Sequence, residues 1–387
     1  MRKLFITVCE LDEISYLPKG IETEIFGAPL YEHAYRKIKD AANKLDLDVE
    51  FVRAATFPVK GSTNELNPDF EDIVAVVSPL VFLAHARCIE DALSFVTKND
   101  TAYATVGNMR GLFAAFGLGK MISGAAIGSC SDFVHNVTEC GAVYKYVAFA
   151  DGEKAVPVSR IDFFKKVEAY REELLDYLVM SGVDIECRDG VIISPNTEIR
   201  RGTKIYSGTH IGEWTRICEN CTIGPNTVIK ASEIGEGCVV NQSVITDSTL
   251  EKNVTVGQFC TVSGESHLLS GSSLLGYVLV HNTTVGIESR VMEQSCIKNT
   301  VAGARVSIGA GVTTVTHIEQ DVRKLKIGDD VTIGSGSNLI LPLSIGKSAL
   351  VAAGSTITDD VPPFALAVAR EFQENKDGWA KKRKRVK

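Results

Sequence analysis

The chain has 387 residues, a net charge of −7, 45% hydrophobic and 23% charged residues, and ten scattered cysteines. That length predicts about two or three domains. The acidic balance argues against nucleic acid as a partner, and the cysteine usage fits a reducing compartment better than a disulfide scaffold. No apolar run reaches the ~18 to 20 residues of a membrane span, and the opening MRKLFITVCELDE turns acidic too soon for a signal peptide, so a cytoplasmic location is expected.

Residues 1–160 read as an α/β domain. Strand-like runs (Lys3 to Val8, Val49 to Val52, Ile73 to Val77) alternate with helix-like ones (Leu30 to Leu45, Cys88 to Val96), which favours a parallel sheet. Gly117-Leu-Gly119 with Gly124 is a weak glycine-containing run. Residues 161–182 carry apolar side chains at helical spacing and predict a connector helix, with Gly182 as its C-cap.

Residues 190–360 repeat at six. Isoleucines stand at 193, 199, 205, 211, 217, 223 and 229, and the series resumes at Ile327, Ile333, Leu339, Ile345, Val351 and Ile357. Small residues follow four places later, among them Thr197, Thr203, Thr209, Cys221, Ser337 and Ser355. Neither a helix nor a flat strand sustains a period of six, whereas stacked coils do. The pattern predicts a left-handed parallel β-helix of about nine triangular coils, aliphatics inward and small residues beside the corners. Between Ile229 and Leu250 the steps run five, six, five and five, predicting corners one residue short. The thirteen residues from Thr314 to Ile327 predict a loop leaving the coil, one residue longer than two repeats. Residues 361–387 form a C-terminal extension ending in the basic run KKRKRVK, a solvated terminus. A lone three-sided prism leaves ordered faces exposed, which favours a homotrimer.

From about Ile161 the chain resembles the bifunctional N-acetylglucosamine-1-phosphate uridyltransferase/glucosamine-1-phosphate acetyltransferase family. The resemblance rests on SRIDFFKKVEAYREELLDYLVMSGVDI, VSIGAGVTT, IGDDVTIGSGSNLILPLSIGKSALVAAGSTIT and ALAVAREFQENKDGWAKK. The N-terminal match is thinner: Leu17-Pro18-Lys19 and Gly27-Ala28-Pro29-Leu30 are kept. The family's Gly-rich signature falls on Cys9 to Tyr16, its metal-binding Asp on Ser78, and its second metal ligand within Pro157 to Arg160, without Asn or Asp. A triphosphate needs close backbone approach and a metal's charge. The resemblance therefore implies a degenerate nucleotidyltransferase-like domain without uridyltransferase activity and without a bound metal.

For the solenoid the resemblance implies acetyl-CoA as co-substrate, held by Ser335, Ala353 and Arg370. The family's general-base His falls on Glu293 and a neighbouring Tyr on Cys296. Two basic residues that hold the sugar phosphate fall on Ser263 and His281, and an Asn-Tyr pair on Thr316 and His317. A nucleophile attacking a thioester needs a proton acceptor, and the candidates are His281, Glu293 and His317. His210 and His267 read as residues of ordinary repeats, and Cys218-x-x-Cys221 as packing rather than half a zinc site. The resulting expectation is an acetyl-CoA-dependent acyltransferase with an altered small-molecule acceptor, an amino sugar or sugar phosphate. A non-catalytic trimeric scaffold is the alternative, and a working bifunctional enzyme the third reading.

Overall fold

The computed structural model describes residues 2–8, 24–26, 28–51, 73–77, 80–81, 86–98, 102–106, 113–117, 143–147, 160–316, 324–371, 373–376 and 379. Two compact units emerge: residues 1–177 with 192–196, and residues 178–191 with 197–387.

The first unit is built on a six-stranded sheet in the order Asp48–Phe51, Lys3–Val8, Ile73–Val77, Phe113–Gly117, Ala102–Val106, Val143–Val147. Alternation in the strands puts Leu4, Ile6, Ile73, Ala75 and Val77 in the core. Helices α1 (Leu30–Asn43) and α2 (Ala86–Lys98) cover them with Ala34, Ile38, Ile89, Leu93 and Val96. The sheet is mixed rather than wholly parallel, because Phe113–Gly117 runs antiparallel to both neighbours. Only residues 107–112 separate that strand from Ala102–Val106, too few for the crossover of a dozen or more that parallel neighbours require. The same strand ends at Gly117, so the glycine run there follows a strand and not a helix.

Helix α3 (Arg160–Met180) buries Phe163, Val167, Tyr170 and Leu175. It stops at Gly182, whose φ of +95° suits a residue without a Cβ, and the Val183 amide bonds back to the Leu178 carbonyl at 3.1 Å. Within the first unit His33 is fully buried, its Nε2 2.8 Å from the Ile25 carbonyl and its Nδ1 3.4 Å from the Tyr170 hydroxyl. These partners select the neutral ring with Nε2 protonated and Nδ1 accepting. Burial lowers the His33 pKa from 6.5 to about 4 and pushes the Tyr170 phenol up.

The second unit is a left-handed parallel β-helix. Its strands are two to four residues long and stack into three faces. The first face runs from Glu198–Ile199 to Ser344–Ile345, the second from Lys204–Ile205 to Leu366–Ala367, the third between His210–Ile211 and Thr356–Ile357. In the two-residue strands up to Thr356–Ile357 the second residue is buried and the first is exposed or half-buried, as in Glu198–Ile199 and Thr222–Ile223. The small residues do a second job: Ser243, Ser289 and Ser295 donate to the corner carbonyls of Gly257, Gly303 and Gly309 at 2.6, 2.9 and 2.9 Å. Buried hydroxyls are thereby satisfied by backbone that the corners would leave unpaired.

Coil length varies without disturbing the stack. Residues on adjacent coils are 18 apart near Thr203 and Cys221, and 16 apart at Ser232 and Ser248. The aliphatic rungs stay in register throughout, with Ile217 against Ile234 and Ile234 against Leu250. The long segment after Thr314 falls where a loop is expected, and residues 317–323 within it lie outside the described residues. Thr313–Thr316 on the third face is followed directly by Leu325–Ile327 on the first, and the coil offset there rises to 25. The stack also outlasts Ile357, because Leu366–Ala367 pairs in parallel with Leu350–Val351.

Candidate active site

The corner between the second and third faces carries four of the six sequence-predicted site residues. Backbone bonds tie its successive coils together: Gly311 N–H to Glu293 O, Gly336 N–H to Ala310 O, and Gly354 N–H to Ser335 O, each 2.8 Å. Glu293, Ala310, Ser335 and Ala353 thus form one row along the solenoid axis. At about 4.8 Å per coil the row spans about 14 Å. All but Ala310 are exposed. The corners need a residue with φ > 0 after each row member, and here Gly311, Gly336 and Gly354 supply it. A Cβ on Gly336 or Gly354 would meet nothing within 4 Å, so open space lies beside Ser335 and Ala353. One coil further, the Arg370 guanidinium donates to the Ala353 carbonyl at 3.0 Å and stays exposed. The row therefore begins at a carboxylate, continues along small side chains and ends at a cation.

Within the row, Ser335 Oγ accepts the Ala310 amide at 3.1 Å. On the inner side the backbones approach closely: a Cβ on Gly309 would lie 2.5 Å from the Ser335 nitrogen, and one on Gly334 2.4 Å from the Ala353 nitrogen. Small residues here serve the packing of the coils as well as the open side.

His281 lies elsewhere, at the far edge of the third face. It closes the strand Leu279–His281, is exposed, and its Nδ1 is 3.0 Å from Ser263 Oγ. Its ring rests on Gly264, where a Cβ would come within 2.4 Å of Cε1. Register aligns Ser263, His281 and Lys298 on three successive coils. Lys298 and Glu293 are five residues apart in one coil, no more than about 16 Å at about 3.3 Å per residue. His281 and Glu293 thus stand at opposite edges of the third face, on neighbouring coils. Cys296 sits between them on that face, half-buried. His317 lies outside the described residues, as do Ser78 and the spans Cys9 to Tyr16 and Pro157 to Ser159. Thr316 ends the strand Thr313–Thr316.

Lys298 was missed by sequence reasoning. It restores a cation beside His281, and it has no ion-pair partner among the described residues. The signal was present in the coil offset of 17 that separates it from His281, but the shortened coils hide that offset from a search at six.

Among the described residues the other histidines and cysteines form no comparable site. His210 and His267 are exposed strand residues on different faces. His267 lines an open groove of about 580 Å³ with Trp214, Arg216 and Glu233. The Cys221 thiol is buried and donates to the Gly235 carbonyl at 3.1 Å. Among the described residues no group of three or more His, Cys, Asp or Glu is arranged to hold a metal, and no helix is long and apolar enough to cross a membrane.

Comparison with known proteins agrees with the repeat. Residues 196–231 match the family described as bacterial transferase hexapeptide (six repeats), and residues 324–359 the hexapeptide repeat of succinyl-transferase. The bifunctional protein GlmU of Geobacillus sp. (strain WCH70) is 37% identical over 239 residues, covering 62% of this chain and 51% of that protein. Its counterpart in Thermoanaerobacter pseudethanolicus is 36% identical over 225 residues, covering 58% and 49%. The chain spans about half the length of the curated relatives it matches. Among solved structures, LpxA from Acinetobacter baumannii is 20% identical, covering 48% of this chain and 71% of that one, with a TM-score of 0.35. The resemblance to bifunctional GlmU proteins stands on this identity, together with the hexapeptide repeats.

Proposed function

We propose that the protein is an acyltransferase of the hexapeptide class that takes acetyl-CoA as acyl donor. The single observation that carries this reading is the corner row from Glu293 through Ala310, Ser335 and Ala353 to Arg370. A pantetheine arm is long, thin and mostly uncharged, and it fits an open strip lined by small side chains. Arg370 at the end of the row offers a charge-assisted hydrogen bond to phosphate. Its remaining donors are exposed while one holds the Ala353 carbonyl, which orients the fork along the row.

With the thioester end beside Glu293, that carboxylate receives the proton of the attacking amine or hydroxyl as the new acyl bond forms. The C–S bond breaks, and the thiolate leaves and takes up a proton from solvent. His281 is the competing base, and its place beside Lys298 and Ser263 suits an anionic or hydroxylated part of the acceptor better. His317 is the third candidate. The acceptor is a small molecule, an amino sugar or a sugar phosphate, in a pocket altered from that of GlmU-like proteins. The protein works as a homotrimer in the cytoplasm, and its first unit lacks uridyltransferase activity with UTP, Mg²⁺ and N-acetylglucosamine 1-phosphate.

A second reading, a non-catalytic trimeric scaffold, is favoured by one specific set of residues. Glu293, Cys296 and Ser263 stand where the resembled family carries His, Tyr and a basic residue. Calorimetric titration with acetyl-CoA separates the two. The enzyme reading requires saturable binding and free thiol release with an acceptor, and the scaffold reading predicts neither.

A further inference from the structure

The row that begins at Glu293 does not begin the corner. One and two coils earlier on the same edge stand Tyr277 and Phe259. The same backbone bonding continues through them: Phe259 N–H to Gln242 O at 2.9 Å, Tyr277 N–H to Gln258 O at 2.8 Å, and Gln294 N–H to Gly276 O at 3.1 Å. The two rings stack with centroids 5.0 Å apart and planes 26° from parallel. They are 52% and 62% exposed. Both residues have left-handed backbone, φ +58° and +60°. That conformation is cheap for Gly or Asn and unfavourable for a bulky aromatic. Later coils of this corner use Gln294, Gly311, Gly336 and Gly354 at the equivalent place. Trp214 and Phe364 at other corners share the left-handed backbone and the exposure, and what sets this corner apart is that its two aromatic residues stand on successive coils and stack.

We infer that Phe259 and Tyr277 are the stacking platform for the acyl acceptor, which must then carry a ring with a flat apolar face. The inference rests on the donor placement proposed above. A donor running from Arg370 to Glu293 fills the row on the C-terminal side of its reactive end. An attacking atom has to come within about 3 to 3.5 Å of that end. Along the corner, the space left is on the N-terminal side, over Tyr277 and then Phe259. Across the third face, Leu279 and Thr261 lie between this platform and the polar edge of Ser263 and His281. A ring seated on the aromatic pair thus has apolar support beneath it and hydrogen-bonding groups at its far rim. Aromatic faces bind such rings through stacking and their negative quadrupole.

The test is calorimetric titration of the full-length protein and of Phe259→Asn and Tyr277→Asn. Asparagine tolerates φ > 0, so both variants keep the corner. Three acceptor-like probes are used: D-glucosamine for a pyranose, 4-aminobenzoate for a planar aromatic, and ethanolamine as a ringless amine. Acetyl-CoA is titrated separately. The expected result is binding of one of the ring probes, weakened about fivefold or more by either substitution, with ethanolamine not bound and acetyl-CoA affinity unchanged. A loss of about fivefold corresponds to about 1 kcal/mol, the scale of an aromatic stacking contact. Wild-type protein that binds acetyl-CoA but neither ring, or ring binding indifferent to both substitutions, overturns the platform and leaves the donor site standing. Absence of acetyl-CoA binding overturns the donor reading and the platform with it. Light scattering on the same samples supplies a further outcome. Variants that dissociate an oligomer while retaining ring affinity would show the pair to be a contact between copies, and the inference would be wrong.

Discussion

In the solenoid each strand contributes one buried aliphatic, and its nearest partners are the equivalent residues one coil above and below, as Ile229 and Val262 are for Ile245. In the α/β unit the buried residues come together from distant parts of the chain: Leu4 and Ile6 lie beneath helices that begin at Leu30 and Ala86. A stack of nearest neighbours stores its stability locally and repeats any surface feature at a fixed interval. A two-layer core stores it collectively, and it holds the buried His33 through Ile25 and Tyr170. The two regions should therefore fail differently and respond to different variables.

The largest expected effect is in the solenoid core. Ile245 is fully buried, and Ile245→Ala should cost about 2 to 5 kcal/mol of its unfolding free energy. Denaturant unfolding should show the solenoid transition moving to lower concentration while the transition of the α/β unit stays in place. Movement of both by the same amount would show that the two cores unfold as one.

The next effect belongs to the α/β unit and depends on pH. The folded pKa of His33, about 4, lies below its ordinary 6.5 because burial disfavours the imidazolium. The unfolded chain therefore binds the proton first as pH falls. The contribution of His33 to stability is complete above pH 6.5 and is lost on acidification from 6.5 to about 4, at about 1.4 kcal/mol per pH unit within that window. His33→Gln should remove this slope from the α/β transition and leave the solenoid's acid response unchanged. An equal slope in wild type and variant would mean that His33 is not the buried neutral group described here.

Much of the solenoid was legible in the sequence because its period is a direct image of the fold. A six-residue interval returns each isoleucine to the interior, and the corner chemistry of Thr203 or Ser337 follows from the same count. Legibility failed where geometry departs from the count. Lys298 aligns with His281 only through a coil shortened to 17, an offset that a count of sixes does not reveal. The final strand, Leu366–Ala367, was missed because Asp359, Asp360, Pro362 and Pro363 interrupt the pattern just before it. In the α/β unit the run Phe113–Gly117 has no feature that fixes its direction. Its antiparallel course comes from the short link to Ala102–Val106, a property of the chain between strands and not of the strand itself.

The site inherits this division. Ser335 and Ala353 could be found by resemblance and are small for two reasons at once, coil packing and the open strip beside them. Glu293 joins their row because its carbonyl accepts from Gly311, a relation that a residue-by-residue transfer from relatives does not contain. Arg370 could be named but not placed: the chain after Ile357 re-enters the stack and brings the guanidinium onto Ala353.

The smallest expected effect is a control on that surface. Arg305 and Asp330 form a bidentate pair across adjacent coils, at 2.7 and 3.1 Å, on the solvent-facing surface. Hydrogen bonds from Arg305, together with its charge, hold the Asp330 carboxyl below its usual range, yet exposed pairs contribute little to stability. Arg305→Ala should leave the solenoid melting temperature unchanged within error. A clear drop would mean that exposed groups between coils carry more stability than the buried rungs imply.

The central claim is that the corner row from Glu293 to Arg370 holds an acyl-CoA. Calorimetric titration of acetyl-CoA into wild-type protein and Arg370→Ala tests it most directly. A charge-assisted hydrogen bond to phosphate contributes about 1.5 to 3 kcal/mol, so the account predicts saturable wild-type binding weakened roughly 10- to 100-fold by the substitution, with the fold intact. No binding by the wild type at millimolar acetyl-CoA, or equal affinity in the two proteins, would contradict it.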